Sequence, residues 1–155
     1  PPGSPLAALV PAFGARGINL EFTKDPALEA WTKMMVVCSL TAGCALYRTP
    51  VGAVRSRRLG LRFLSKAASE VGRVGRARGV PITDDHEAHA RDVLNGFPED
   101  FVPSLIHDLT RGKPTEVAAL NGAVSRMGQG CGIPTPIHDA ATTAIEIWER
   151  GLKAL

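Results

Sequence analysis

The sequence predicts an all-α domain, on three observations. Hydrophobic residues make up 45% of the 155 residues and aromatic residues only 5%, so alanine, valine and leucine supply most of the apolar surface. Apolar positions recur at helical spacing through most of the chain, and proline and glycine separate these segments. Strand-like alternation is confined to "GINLEFT" at 17–23, which predicts a brief strand or an extended segment. A chain of this length can bury one compact core.

The first elements in order are a short helix and a long apolar one. Residues 6–15 have a short helical pattern. Asp25 can cap the next helix, because Pro26 then occupies the first helical position, where its missing N–H costs nothing. This helix should continue through Leu46 and end before Pro50.

The remaining predicted helices lie between proline and glycine residues. Their ranges are 56–78, from Thr83 or Asp84 onward, 101–110, 114–128, and 136 to the C-terminus. The last helix should present one apolar face, formed by Ile137, Ala141, Ala144, Ile145 and Trp148. With the long apolar helix, six helices are expected in the domain.

Charge and cysteine content exclude several classes of protein. The formal net charge is +3, but eight of the 18 basic residues and only one of the 15 acidic residues lie between Arg55 and Arg78. Cys38, Cys44 and Cys131 are odd in number and lack C-x-x-C spacing, which argues against a disulfide framework or zinc site and is typical of the cytoplasm. The longest uncharged apolar stretch, 34–47, is too short to span a bilayer, and the first residues lack the basic leader of a signal peptide.

The helix at 56–78 combines basic residues with apolar ones. Nucleic-acid binding is one interpretation of such a helix. Leucine, valine and phenylalanine nevertheless recur in it at core-type spacing, including Leu59 and Leu61, and no aromatic platform accompanies them. We therefore predict a solvated basic face on a packed helix. The run "GRVGRARG" at 72–79 has the wrong glycine spacing for a dinucleotide site and should instead let two helices approach closely.

Lys33 admits two interpretations. It lies one turn into the long apolar helix, just after Trp31, with Val37 and Thr41 four and eight residues later. A lysine at the end of an apolar helix often extends its ammonium to solvent, and spacing alone favours this role. Alternatively, the ammonium lies in a cleft, where partial desolvation lowers a lysine pKa and makes the group a proton donor to a carbonyl oxygen.

Glu116, Ser104 and the histidines also have structural interpretations. Glu116 is predicted in the first turn of the helix at 114–128, where a carboxylate complements the helix dipole. Ser104, directly after Pro103, is predicted as an N-cap. The four histidines have no metal-ligand spacing and are predicted to be surface groups, and no metal site is expected. These are His86, His89, His107 and His138.

Four short motifs follow one another at characteristic spacing. They are "WTK" at 31–33, "PSLIHDLTRGKPTE" at 103–116, "LNG" at 120–122 and "GIPTP" at 132–136. From about Gly17 to the end, the chain resembles the C-terminal domain of ketopantoate reductases (2-dehydropantoate 2-reductases). The most specific part is the Ser-x3-Asp-x7-Glu run of Ser104, Asp108 and Glu116. Such domains in turn resemble the helical bundle of the 6-phosphogluconate dehydrogenase C-terminal domain.

The resemblance implies a two-part chain and a missing partner. Residues 1–24 would be a linker or remnant of an NADP-binding Rossmann domain, and residues 25–155 the helical substrate and catalytic domain. The active site would lie between the two domains, so this chain alone would be inactive. Because family members often dimerise and uncovered apolar surface seeks a partner, a homodimer is also expected. No nucleic-acid or membrane partner is expected.

The resemblance also implies roles for particular residues. Lys33 corresponds to the family's catalytic lysine, which protonates the keto oxygen of a 2-oxo acid while NADPH delivers hydride to the carbon, as in pantothenate biosynthesis. Glu116 would line the same site, and Ser104 would bind the substrate carboxylate. Family members usually carry asparagines where this chain has Val37 and Thr41, so Thr41 is the remaining polar substrate contact and a more apolar acid is expected. The alternative is a catalytically impaired member that acts as a helical dimerisation or interaction module.

Overall fold

A computed structural model of the chain describes residues 5–20 and 22–151. Over these ranges a 3-10 turn at Pro5–Ala8 precedes eight α-helices, and no strand is present. The helices are α1 Leu9–Gly14, α2 Pro26–Tyr47, α3 Val51–Arg55, α4 Arg58–Ala77, α5 Asp84–Gly96, α6 Ser104–Thr110, α7 Asn121–Gly130 and α8 Pro136–Glu149. The predicted all-α fold is confirmed.

Helix α2 is the central element of the core. Its Asp25 cap accepts a hydrogen bond from the Leu28 N–H at 2.9 Å, and Pro26 is its first residue, as predicted. Ten of its residues are buried: Met35, Val36, and Cys38 through Ala45. The helix packs most extensively against α4, α8 and α5. No helix within the described ranges is long and apolar enough to cross a membrane.

Helix α4 packs closely against its neighbours through glycine. A Cβ atom on Gly75 would overlap Ile82 and lie 2.9 Å from the Trp31 ring, and one on Gly72 would lie 2.8 Å from the Glu87 carboxylate. The close approach predicted for 72–79 is therefore confirmed.

The basic face of α4 is solvated, as predicted. Arg58, Arg62, Lys66 and Arg73 are exposed, whereas Leu64, Val71 and Val74 are buried. The core role predicted for Leu59 and Leu61 is wrong, because their side chains are 64% and 40% exposed.

Two helix boundaries differ from the prediction around residues 50–60. The helix predicted from Ser56 begins at Arg58, and a separate short helix, α3, precedes it. Arg57 has an extended backbone between the two helices. A Cβ on Gly60 would overlap the Val54 carbonyl, so the absence of a side chain lets α4 turn tightly against α3.

The helix predicted at 114–128 is wrong in its first turns, since α7 begins at Asn121. The preceding segment forms successive turns, in which the Leu120 N–H donates to the Glu116 carbonyl at 3.0 Å and the Gly122 N–H to the Val117 carbonyl at 2.9 Å. Leu120 itself has non-helical φ and ψ of −100° and −100°. Glu116 therefore does not lie in the first turn of a helix.

Ser104 is not the N-cap that the sequence predicted. Pro103 occupies the cap position of α6, with no side-chain cap bond, and Ser104 is the first helical residue. A Pro103 ψ of 146° makes it the last extended residue, which shifts the helix start by one position.

Among the described residues before α2, none belongs to the buried core or packs against it. Helix α1 has no buried residue, and Leu9, Phe13, Ile18 and Phe22 are between 39% and 49% exposed. Within 17–23, the described residues form no strand, and Glu21 lies outside the described residues. This segment therefore leaves these four apolar side chains partly exposed.

Candidate functional site

Lys33 is exposed on α2, two residues before the buried block of that helix begins at Met35. Between described residues, no ion pair of 4.0 Å or less involves its ammonium. Within the described residues, the Lys33 ammonium therefore does not lie in the cleft that the second interpretation of the sequence placed around it. Lys33 is free to meet a group that comes from outside the described domain.

Ser104 and Glu116 are also exposed, whereas Thr41 is fully buried. The Thr41 Oγ1 atom has no hydrogen-bond partner among the described residues. Two further buried side-chain atoms, Asn121 Oδ1 and Ser125 Oγ, also have no hydrogen-bond partner among the described residues. Since Asn121 contacts α2 and Ser125 lies one turn further along α7, the unpaired polar atoms belong to two adjacent helices.

The contacts connect the Glu116 segment to the helix that carries Lys33. The Asn121 side-chain amide donates to the Cys38 carbonyl of α2 at 3.0 Å. Lys33 and Glu116 each lie five residues before one partner of this bond. Lys33 lies about 7.5 Å before Cys38 along the axis of α2, whereas the five residues from Glu116 to Asn121 form non-helical turns that lead into α7. No ion pair of 4.0 Å or less joins Lys33 and Glu116 within the described structure.

Residues on either side of Ser104 lie near the C-terminal end of α2. The Phe101 carbonyl, just before α6, accepts from the Val51 N–H at 3.0 Å, beyond the C-terminal end of α2. Three α6 residues line a pocket together with Arg48, which caps that same end. These contacts place the C-terminal part of α6 beside the end of α2 that lies farther from Lys33.

A buried polar network supports this region, and we call Glu70, Asn121 and His138 the core network. The Asn121 amide donates a second hydrogen bond, to His138 Nδ1, at 3.0 Å. The His138 Nε2–H in turn donates to the Ala67 carbonyl at 3.0 Å. Since one ring nitrogen accepts and the other donates, the ring is a neutral imidazole. The network joins α2, α4, α7 and α8.

The surface position predicted for His138 is wrong, because its side chain is 0% exposed. Burial lowers the pKa of His138 below its ordinary value of 6.5, and the Ala67 hydrogen bond and nearby Asp139 oppose that effect in part. Histidine is tolerated in this core because both ring nitrogens are paired. His86, His89 and His107 are partly or well exposed, as predicted.

Glu70 caps α8 from a neighbouring helix. Its carboxylate accepts from the Ile137 N–H at 3.1 Å and from the His138 N–H at 3.3 Å, at the positive end of α8. Burial raises the pKa of Glu70, and those two N–H groups together with Arg73 limit the rise. The side chain is only 3% exposed, so sequence reasoning missed a structural carboxylate here.

The described residues offer no cluster of metal ligands, and two of the three cysteines are buried. Residues 5–20 and 22–151 contain no group of three or more histidine, cysteine, aspartate or glutamate side chains able to hold a metal ion. Burial raises the pKa of Cys38 and of Cys44 to about 12, so both remain neutral thiols at pH 7. They belong to the core, and the candidate chemistry stays with Lys33, Ser104 and Glu116.

A protein-family model and several curated proteins match this chain. The family model described as ketopantoate reductase PanE/ApbA C terminal matches residues 25–149. A 2-dehydropantoate 2-reductase of Halobacterium salinarum is 28% identical over 145 residues, which cover 94% of this chain and 48% of that protein. One of Caulobacter vibrioides is 30% identical over 138 residues, covering 89% of this chain and 46% of that protein. The chain thus spans about half the length of these curated relatives.

Solved structures agree on the fold. A PanE/ApbA family ketopantoate reductase from Ralstonia eutropha superposes with a TM-score of 0.84 at 27% identity, covering 96% of this chain and 50% of that one. D-mandelate dehydrogenase with NADH and anilino(oxo)acetate gives 0.81 at 20% identity, covering 95% and 62%. A dimeric ketopantoate reductase from Staphylococcus aureus gives 0.77 at 19% identity, covering 86% and 47%. The last two, at such low identity, show the fold alone.

Proposed function

The chain belongs to the ketopantoate reductase family, in which it matches the C-terminal domain, and on that premise we propose that its parent protein reduces a 2-oxo acid to a 2-hydroxy acid with NADPH. The observation that carries the proposal is the family match over residues 25–149, which includes Lys33, Ser104 and Glu116. All three side chains are exposed and available to a ligand. The proposed reaction takes place in the cytoplasm.

The proposal divides the work between two domains. The described residues contain no strand, and the dinucleotide fingerprint requires a strand, a turn and a helix. We therefore assign the NADPH site, and with it the source of hydride, to a Rossmann domain that precedes this one. The exposed apolar side chains of residues 9–22 support such a partner, because a domain packed there would cover them. This chain alone is then inactive.

Within this domain, Lys33 is the proposed proton donor. As hydride reaches the carbonyl carbon, negative charge develops on the oxygen, and an ammonium in hydrogen-bond reach can neutralise it by proton transfer. The Glu116 carboxylate is proposed to hold the ammonium and the substrate, and the Ser104 hydroxyl to donate to the substrate carboxylate. Because Thr41 is fully buried, we assign the direct substrate contacts to the three exposed residues.

Val37 points to the substrate class. It lies four residues after Lys33, on the same side of α2, and is partly buried. Valine cannot hydrogen-bond a substrate hydroxyl, and leaving a polar group unpaired costs about 1–3 kcal/mol. We therefore propose a 2-oxo acid with an apolar body as the preferred substrate. Dimerisation of the parent protein, as in the reductase from Staphylococcus aureus, is part of the same proposal.

The experiment uses the full-length parent protein and a panel of 2-oxo acids, with oxidation of NADPH and of NADH measured in parallel. Lys33→Ala should lower kcat/KM by about 100- to 10,000-fold, the usual contribution of a general acid. Lys66→Ala is the matched control, since Lys66 is also exposed but lies on α4.

Two results would count against this proposal. Unchanged turnover in Lys33→Ala would remove the proton donor. No turnover of any 2-oxo acid by the wild-type protein, with intact self-association, would instead favour the helical dimerisation module.

A further inference from the structure

A pocket of about 390 Å³ lies at the C-terminal end of α2. Its lining includes Arg48, Val102, Ile106, His107, Thr110 and Trp148. They come from the C-cap of α2, from α6 and the segment just before it, and from the end of α8. This volume falls in the range that holds small organic ligands.

Arg48 is held at the rim of this pocket by an unusual backbone. Its φ of 51° makes it the one non-glycine residue with positive φ among those described. Left-handed conformation is costly for such a residue and persists only where surrounding structure enforces it. Here the Arg48 N–H closes α2 on the Ala45 carbonyl. Its guanidinium carbon lies 4.2 Å from the centroid of the Trp148 ring.

The positive charge at the pocket is not neutralised. No carboxylate lies within 4.0 Å of Arg48 or His107 within the described ranges. Glu149 follows Trp148, on whose ring Arg48 lies. The Glu149 carboxylate instead accepts a hydrogen bond from the Thr115 N–H at 2.7 Å. An arginine side chain is always charged and presents a planar fork of donors that matches a carboxylate.

Much of the remaining lining is apolar. Ile106 is a buried core residue, and Val102 and Trp148 are partly buried and pack against the core. Thr110 adds a hydroxyl whose hydrogen is already donated to the His107 carbonyl at 2.9 Å, so it can only accept from a ligand. A pocket of this composition offers one cationic anchor and a larger apolar surface.

We propose that this pocket binds a small monocarboxylic acid with an aromatic or branched apolar body. The carboxylate pairs with the Arg48 guanidinium, and the apolar body lies against Ile106, Val102 and the Trp148 indole. The site is on the same helix as Lys33 but fifteen residues later, which is about 22 Å along the axis. It goes beyond the proposed reductase activity and does not depend on it.

The test is a titration of the 155-residue chain with benzoate, followed by NMR of backbone amides and of the two tryptophan indole N–H groups. Benzoate should shift the Trp148 indole and the Thr110 amide saturably, with a Kd of about 1 mM or tighter. Trp31, which packs against α4, serves as the internal control. Benzyl alcohol, which has the same ring without the charge, should not saturate the site, and neither should inorganic phosphate, which has charge without the ring.

Two variants then test whether the Arg48 guanidinium binds benzoate, as distinct from an effect of the substitution on folding. Arg48→Gln should weaken benzoate binding about tenfold or more, while Arg62→Gln, another exposed arginine, should leave it unchanged. The spectrum away from the pocket reports whether each variant is folded. The proposal would be overturned if benzyl alcohol or inorganic phosphate bound as tightly as benzoate. It would also be overturned if folded Arg48→Gln kept the full affinity for benzoate, or if benzoate caused no saturable shift in the wild-type chain.

Discussion

The core network and the three exposed candidates, Lys33, Ser104 and Glu116, are all polar, but the fold places them in opposite environments. Asn121 and His138 are fully buried, and their N–H donors are paired with carbonyls or with one another at 3.0 Å. A buried donor without a partner is costly, so these pairings stabilise the fold, although Asn121 Oδ1 has no partner among the described residues. Lys33, Ser104 and Glu116 have no such constraint. Burial with paired N–H donors, more than residue type, therefore separates the core network from the polar residues that are available to a ligand.

The largest effect expected from this difference is the loss of stability when Asn121 is truncated. Asn121→Ala removes the donor to the Cys38 carbonyl, leaves His138 Nδ1 unpaired in the core, and opens a small cavity. We expect the free energy of unfolding to fall by about 3 kcal/mol. Urea denaturation of the chain measures it.

Asn95→Ala is the control for that substitution, because Asn95 is exposed on α5. It should change the free energy of unfolding by less than about 0.5 kcal/mol. Equal losses in the two variants would break the comparison, since the buried asparagine would then contribute no more than an exposed one.

A smaller effect is expected in the dependence of stability on pH. Burial lowers the pKa of folded His138 below 6.5, so the unfolded chain binds a proton more readily. The contribution of His138 is then fully present above pH 6.5 and is lost as the pH falls below it, by at most about 1.4 kcal/mol at pH 5.5. His138→Gln should remove this loss, as seen in urea denaturation at a series of pH values.

Two controls isolate the histidine in that series. His107→Gln, at an exposed position, is the matched control for the same exchange of an imidazole for an amide. Glu70 acts with the opposite sign, because its raised pKa makes its contribution largest below pH 4.5 and smaller as the pH rises. The difference between wild type and His138→Gln at each pH cancels the Glu70 contribution. A wild-type slope retained in His138→Gln would show that the ring is not buried as a neutral group.

Local signals predicted most of the fold but not the core network. Asp25 and Pro26 identify the start of α2 because capping depends on residues three or four apart. The start of α7 could not be found in this way, since the partner of Asn121 lies 83 residues away, at Cys38. The same holds for His138, whose acceptor Ala67 is 71 residues away. Only long-range contacts reveal that these polar residues are buried.

The candidate site was predicted by a different route. Spacing alone favoured structural roles for Lys33, Ser104 and Glu116, and it was the resemblance to a family that singled them out. The helix-start role of Glu116 and the cap role of Ser104 are wrong. Their catalytic and substrate-binding roles stay predictions, since no hydrogen bond or ion pair joins any two of these three side chains within the described residues.

The smallest change in the free energy of unfolding is expected for substitution of Glu116. A carboxylate in the first helical turn contributes about 0.3–1 kcal/mol through the helix dipole, but α7 begins five residues later, at Asn121. Glu116→Ala should therefore leave the free energy of unfolding within about 0.5 kcal/mol of wild type. Asp25→Ala is the reference, because its side chain does cap a helix at 2.9 Å and should cost about 1 kcal/mol. If both substitutions cost the same in urea denaturation, Glu116 belongs with the structural residues. A neutral result would leave its carboxylate free for the substrate.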